Sequence, residues 1–105
     1  MRWWRRAREG APQRSVVIWS RAGCHLCEQM ESVVRDVAEG SAGRRGPGRA
    51  RPPVAIEVRD LDEAGREDPA LLAELTTLVP VLEVDGRRVA HWQVDAQTVR
   101  AALLD

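Results

Sequence analysis

The sequence contains no phenylalanine, no tyrosine and no lysine; tryptophan is its only aromatic residue, and all 16 of its cations are arginines. This bias points to no mechanism. Cysteine is nearly as scarce, with two in 105 residues, both inside one four-residue stretch. A secreted disulfide framework spreads its cysteines along the chain to close long loops, so that class is excluded; if a pair this close matters, it matters for chemistry, the other reading being two buried structural cysteines. Long apolar runs are missing too, since nothing approaches the roughly 18 to 20 residues that span a bilayer. The basic start Met1-Arg2-Trp3-Trp4-Arg5-Arg6 is followed by no apolar stretch between Ala7 and Arg14, so no export signal is read and a cytoplasmic location is expected. An excess of one charge is also lacking, because 16 acids balance the 16 arginines, which argues against duplex nucleic acid as a partner.

The balance is uneven along the chain. Residues 1–14 carry Arg2, Arg5, Arg6, Arg8 and Arg14 against Glu9, with no periodicity, and are expected to be a flexible arm. Residues 40–53 (GSAGRRGPGRARPP) carry Arg44, Arg45, Arg49 and Arg51 with no acid, and a Gly/Arg/Pro segment of this kind reads as a flexible connector. Residues 15–105 are expected to form a single domain with one core.

Within that domain, Ser15-Val16-Val17-Ile18-Trp19-Ser20 is a short β-branched run with the character of a central strand. Cys24 to about Glu39 has Leu26, Met30, Val33, Val34 and Val37 at helical spacing, with Gly40 as its expected stop. Val54 to Leu61 alternates and is partly polar, which predicts a strand at a sheet edge. Asp68-Pro69 supplies an N-cap acceptor and a proline at the first helical position, opening a helix that buries Leu71, Leu72 and Leu75. Val81 to Val84, Asp85-Gly86 and Arg87 to Trp92 make a hairpin with a type I′ turn, and Asp95 caps a last helix through Val99, Ala102 and Leu103. The order βαβαββα, with its first two strands parallel across a helical crossover, predicts an α/β fold: a four-stranded mixed sheet flanked by helices.

Cys24-His25-Leu26-Cys27 falls where the first strand ends and a helix begins. Unpaired amides and the macrodipole of a helix N-terminus favour negative charge there, so Cys24 is the expected attacking thiolate. Cys27, one turn further in and more buried, is the expected resolving thiol. Half of a zinc site would need two more ligands, and only His25 and His91 exist, so no metal site is expected. His25 either stabilises the Cys24 thiolate as imidazolium or is an exposed residue of the helix start. His91 reads as structural. Val79-Pro80 stands at a strand entrance, where the bond is either cis or an ordinary trans bond ending the preceding helix.

From Ser15 to Leu104 the chain resembles the glutaredoxin-like proteins of the thioredoxin superfamily, in particular a short bacterial branch. The likeness rests on Val17-Ile18-Trp19-Ser20-Arg21-Ala22-Gly23-Cys24-His25-Leu26-Cys27, on Leu78-Val79-Pro80-Val81-Leu82 and on the Asp85-Gly86 hairpin. It implies a thioredoxin/glutaredoxin fold and dithiol-disulfide oxidoreductase activity through Cys24 and Cys27. It also implies a cis Pro80 beside the Cys24 sulfur, with the Val79 backbone able to pair with a bound peptide or thiol. Arg21 occupies the place of a lysine in glutathione-using relatives. Two features depart from them: Leu78 replaces a threonine, and Trp92-Gln93-Val94-Asp95 replaces a Gly-Gly-x-x-Asp turn. Asp95 either meets a glutathione amine or only caps its helix.

The expected substrate-binding set is therefore Arg21, His25, Val79, Pro80 and Asp95, with no bound cofactor and glutathione as a candidate co-substrate. The expected partners are a protein or low-molecular-weight thiol or disulfide, together with a reductant such as glutathione or a thioredoxin-type reductase. A monomer with no membrane partner is expected. The alternative reading is a noncatalytic thioredoxin-fold binding module, or a carrier of a soft metal or an iron-sulfur cluster.

Overall fold

The computed structural model of the chain describes residues 14–44 and 54–104. Strand β1 (Arg14–Ser20) leads into helix α1 (His25–Arg44), and strand β2 (Val54–Asp60) follows. Two helices, α2 (Leu61–Ala64) and α3 (Pro69–Leu75), precede the hairpin of β3 (Val81–Val84) and β4 (Arg87–His91), and α4 (Ala96–Leu104) closes the order. The sheet runs β2-β1-β3-β4, with β2 parallel to β1 and the other two contacts antiparallel. This is the expected mixed sheet, with β1 central and the partly polar β2 at an edge.

Alternation along β1 divides the core between the two faces of the sheet. Val16 and Ile18 join Leu82 and Val84 on one face, where α1 lays Met30, Val34 and Val37 over them and α4 adds Val99. Met30, Val34 and Val37 recur at four and three residues, the spacing of one helical stripe. On the other face Trp19 and Val81 meet Leu61 and Leu75 from α2 and α3. Each fully buried Leu, Ile or Val contributes about 1.5–3 kcal/mol of transfer free energy, so both helical layers are fixed chiefly by apolar burial. The sheet end nearest the cysteines is defined by register: Ser20 faces Asp60, Trp19 faces Val81, and Val81 faces His91.

Local chemistry sets the element ends. Asp68 caps α3 by accepting the Leu71 amide at 3.1 Å, with Pro69 at the first helical position. Asp85 and Gly86 turn the hairpin with φ of 52° and 83°, the left-handed pair of a type I′ turn.

Four boundaries differ from the sequence reading, at Arg14, Gly40, Leu61 and Trp92, the last of which falls outside β4 because its φ of 69° is not a strand conformation. Arg14, assigned there to the arm, opens β1: its Nε donates to Asp85 at 2.6 Å, and its Nη atoms donate to the carbonyls of Leu103 and Ala102 at 2.8 and 3.1 Å. A cation hooked on the last carbonyls of α4 satisfies acceptors that the helix itself leaves open. Gly40 does not stop α1, which continues to Arg44. It is not among the positive-φ glycines Gly23 and Gly86, and the cost of a helical glycine, about 1 kcal/mol, is too small to break a continuing ladder. Leu61 belongs to α2 and not to β2, because Asp60 caps it by accepting the amides of Asp62 and Glu63 at 2.9 and 3.1 Å. The connector expected over 40–53 is therefore helical through residue 44, and its remainder, like residues 1–13 of the arm, lies outside the described residues.

Candidate active site

β1 ends at Ser20, and the turn Arg21-Ala22-Gly23 must bring the chain abruptly into α1. Gly23 makes this reversal with φ of 72°, a conformation in which a Cβ would be strained. Cys24 then takes the N-cap position: its carbonyl accepts the Glu28 amide at 3.3 Å, and its Sγ accepts the Cys27 amide at 3.1 Å. The sulfur thus lies where an N-cap oxygen lies, facing the amide end of the helix dipole. Cys24 is partly exposed, whereas Cys27 is 4% exposed, and the two are joined as a disulfide. The arrangement leaves Cys24 partly accessible and Cys27 buried.

The expected neighbours fall around this pair in different states. The His25 side chain is 80% exposed, and its Nδ1 stands 3.9 Å from the Glu28 carboxylate. Arg21 is gripped by two residues: Asp62 accepts from its Nε and Nη2 at 3.1 and 2.7 Å, and the Thr76 hydroxyl and carbonyl accept from Nη1 at 2.9 and 3.3 Å. Hydrogen bonding to Asp62 raises the Arg21 pKa, and the same bond holds the Asp62 carboxyl below its usual range. Both side chains are substantially solvated, so the fork contributes geometry more than stability. It ties the loop before Cys24 to α2 and to the end of α3.

The Val79-Pro80 bond is cis. Pro80 is buried and directly precedes Val81, the partner of Trp19, so it stands at the sheet end from which the cysteine loop departs. Val79 packs against the cluster of Trp19, Leu61, Leu75 and Val81. Among the described residues neither its amide nor its carbonyl has a hydrogen-bond partner. Asp95 is engaged as the cap of α4, its Oδ1 accepting the Thr98 amide at 2.8 Å, and that bond keeps its carboxyl below the usual range.

Three residues of this region escaped the sequence reading of the site. Asp62 and Thr76 meet Arg21 across 41 and 55 positions of chain, and neither carries a local signal of that pairing. Trp92 donates its amide to Pro80 and its Nε1 to Thr77. The one sequence signal for it was its presence where relatives carry glycine. No group of three or more His, Cys, Asp or Glu placed to hold a metal occurs among the described residues, and no helix there is long and apolar enough to cross a membrane.

A mixed sheet in this order, layered by helices, with a C-x-x-C pair at the first helix start and a cis proline before the third strand, defines a thioredoxin-like α/β protein. Comparison with known proteins narrows that class: the chain belongs to the family described as Glutaredoxin-like domain (DUF836), which matches residues 15–104. Among solved structures it is similar to the X-ray structure of the Northeast Structural Genomics target protein XcR50 from X. campestris. The two share 28% identity over 82% of this chain and 91% of that one, with a TM-score of 0.55. No curated protein matches the chain. A glutaredoxin-like domain with the Cys24-Cys27 pair is compatible with redox function.

Proposed function

We propose that the protein is a thiol-disulfide oxidoreductase that works through a mixed disulfide on Cys24, resolved by Cys27. The observation that supports this reading best is the asymmetry of the pair: a partly exposed Cys24, whose sulfur accepts a helix N-terminal amide, beside a buried Cys27. An amide donor at that position favours the thiolate over the thiol, and access favours attack by Cys24 over attack by Cys27.

In the reducing direction the Cys24 thiolate attacks one sulfur of a substrate disulfide. The substrate S–S bond breaks, a Cys24-substrate disulfide forms, and the departing thiolate takes a proton. Cys27, deprotonated in turn, attacks the Cys24 sulfur; the mixed disulfide breaks, the Cys24-Cys27 disulfide forms, and the second substrate thiol leaves. Two electrons and two protons have then passed to the substrate. A two-electron thiol donor, either two glutathione molecules or a thioredoxin-type reductase, returns the pair to the dithiol. The substrates are protein or low-molecular-weight disulfides. The work belongs to the cytoplasm, where thiols are kept reduced and a dithiol of this kind can be regenerated.

The test is trapping. Incubated with a disulfide substrate, a Cys27→Ser variant should accumulate a covalent adduct on Cys24 detectable by mass, and a Cys24→Ser variant should accumulate none. An adduct on Cys27 in the Cys24→Ser variant, with none on Cys24 in the other, would reverse the roles and sink the mechanism.

A further inference from the structure

Trp92 adopts a backbone conformation that its side chain disfavours. It follows β4 with φ of 69°, in the left-handed region that bulky side chains avoid. Burial does not account for it, because the residue is 52% exposed. Two hydrogen bonds hold it there: its amide donates to the Pro80 carbonyl at 2.8 Å, and its indole Nε1 donates to the Thr77 carbonyl at 2.9 Å. The His91 ring meets the indole edge-on at 4.8 Å. A glycine would adopt this backbone without strain, so an unfavourable conformation is maintained while a large apolar ring is presented to solvent. Outliers of this kind concentrate where function requires them.

Placement gives the ring a use. Its two anchors, Thr77 and Pro80, bracket Val79, whose amide and carbonyl have no partner among the described residues. His91 pairs with Val81, and Val81 with Trp19, so Trp92 lies at the sheet end from which the cysteine loop leaves β1. Leu26, between the two cysteines, is 40% exposed and is a second apolar side chain presented to solvent at this end of the fold. Two exposed apolar groups at the end of the fold that carries a reactive disulfide and an unpaired backbone segment suit a polypeptide with an apolar side chain beside its cysteine.

We propose that the exposed indole of Trp92 is a specificity-determining contact for polypeptide disulfides, receiving an apolar side chain next to the substrate cysteine. The proposal rests on the oxidoreductase reading above and adds the substrate class. The contact lies outside the sulfur chemistry, so it acts on recognition of the polypeptide and not on the potential of the Cys24-Cys27 pair.

The test compares the wild type with Trp92→Gly and Trp92→Phe on two substrates, insulin as a polypeptide disulfide and bis(2-hydroxyethyl) disulfide as a small one. Circular dichroism establishes that each variant is folded. Glycine relieves the backbone and removes the ring, whereas phenylalanine keeps an apolar ring and loses only the Nε1 bond. For insulin, kcat/KM should fall about tenfold in the glycine variant, mainly through KM, as expected for loss of an aromatic anchor. It should stay within about threefold of the wild type in the phenylalanine variant, since ring burial carries the contact. Turnover of the small disulfide and the redox potential should not change in either variant. The proposal is overturned if the glycine variant reduces insulin as well as the wild type does, or if both substrates suffer equally. It is also overturned if phenylalanine is as damaging as glycine, because Trp92 would then act only as a brace for residues 77–80. A wild type that reduces neither substrate would instead overturn the oxidoreductase reading itself.

Discussion

Gly65 offers a test of the packing that holds the loop before Cys24. It lies buried between α2 and α3 with φ of −68° and ψ of −15°, so alanine could adopt its backbone without strain. A Cβ at this position would nevertheless stand 2.7 Å from Leu72 Cβ, 2.8 Å from its Cδ2 and 3.1 Å from its Cγ. Rotating the Leu72 side chain can move Cγ and Cδ2, but Cβ moves only with the backbone of α3. That helix is fixed by the Asp68 cap and by Leu75, which is fully buried with Trp19 and Leu61. Overpacking of this kind costs about 1–3 kcal/mol, and the reduced entropy of the unfolded alanine chain returns about 0.4–1 kcal/mol. Gly65→Ala should therefore destabilise by about 1 kcal/mol net, which lowers the Tm by about 4–8 °C in a domain of this size. Thermal melting followed by circular dichroism reads the shift. Adding Leu72→Ala should not restore stability, because the nearest clash is with Cβ. A Gly65→Ala variant as stable as the wild type, or more stable, would refute the reasoning. Because α2 also carries Asp62, displacement of this helix would further loosen the grip on Arg21 ahead of Cys24.

Other outcomes follow from the same contacts. The carboxyls of Asp62, Asp85 and Asp95 are held below their usual range by the Arg21 guanidinium, the Ser15 amide and the Thr98 amide respectively. Folding then binds fewer protons than the unfolded chain, so their contribution is complete above about pH 5 and is lost as pH falls through and below about 4. The Tm should be level above pH 5 and fall between pH 5 and 3, and a Tm that rises over that interval would contradict the assignment. Leu82, with no exposed surface at the centre of the sheet, should cost about 2–5 kcal/mol when changed to alanine, read as a lower urea midpoint with an unchanged slope.

Much of this architecture is legible where a residue's partner is close in sequence or its pattern is periodic. Asp68-Pro69 and Asp85-Gly86 act within their own turns, and the stripe of Met30, Val34 and Val37 needs only helical geometry. The position of Cys24 at a strand-to-helix junction was readable for the same reason, because both flanking elements are local. The residues alone leave the isomer of Val79-Pro80 open, and the family resemblance implies the cis bond that is present. What escaped depends on partners chosen by the fold. Arg14 joins Asp85 across 71 residues, and Arg21 joins Asp62 across 41. The short helix α2 has too little apolar periodicity to announce itself, and its start is decided by one carboxylate, that of Asp60. The same dependence on the fold hides Trp92, whose conformation is fixed by two carbonyls of the segment before β3.

The central claim is that Cys24 and Cys27 form a reversible two-electron couple, and redox titration tests it most directly. The protein would be equilibrated in glutathione buffers of graded poise, and its free thiols counted by alkylation and mass. The account predicts a single transition between no free thiols and two, reversible from both directions, with no mixed-disulfide dimer and a midpoint at roughly −200 to −270 mV, the span of cytosolic thiol reductases. A chain that retains both thiols at every poise, or that oxidises only between molecules, would contradict it.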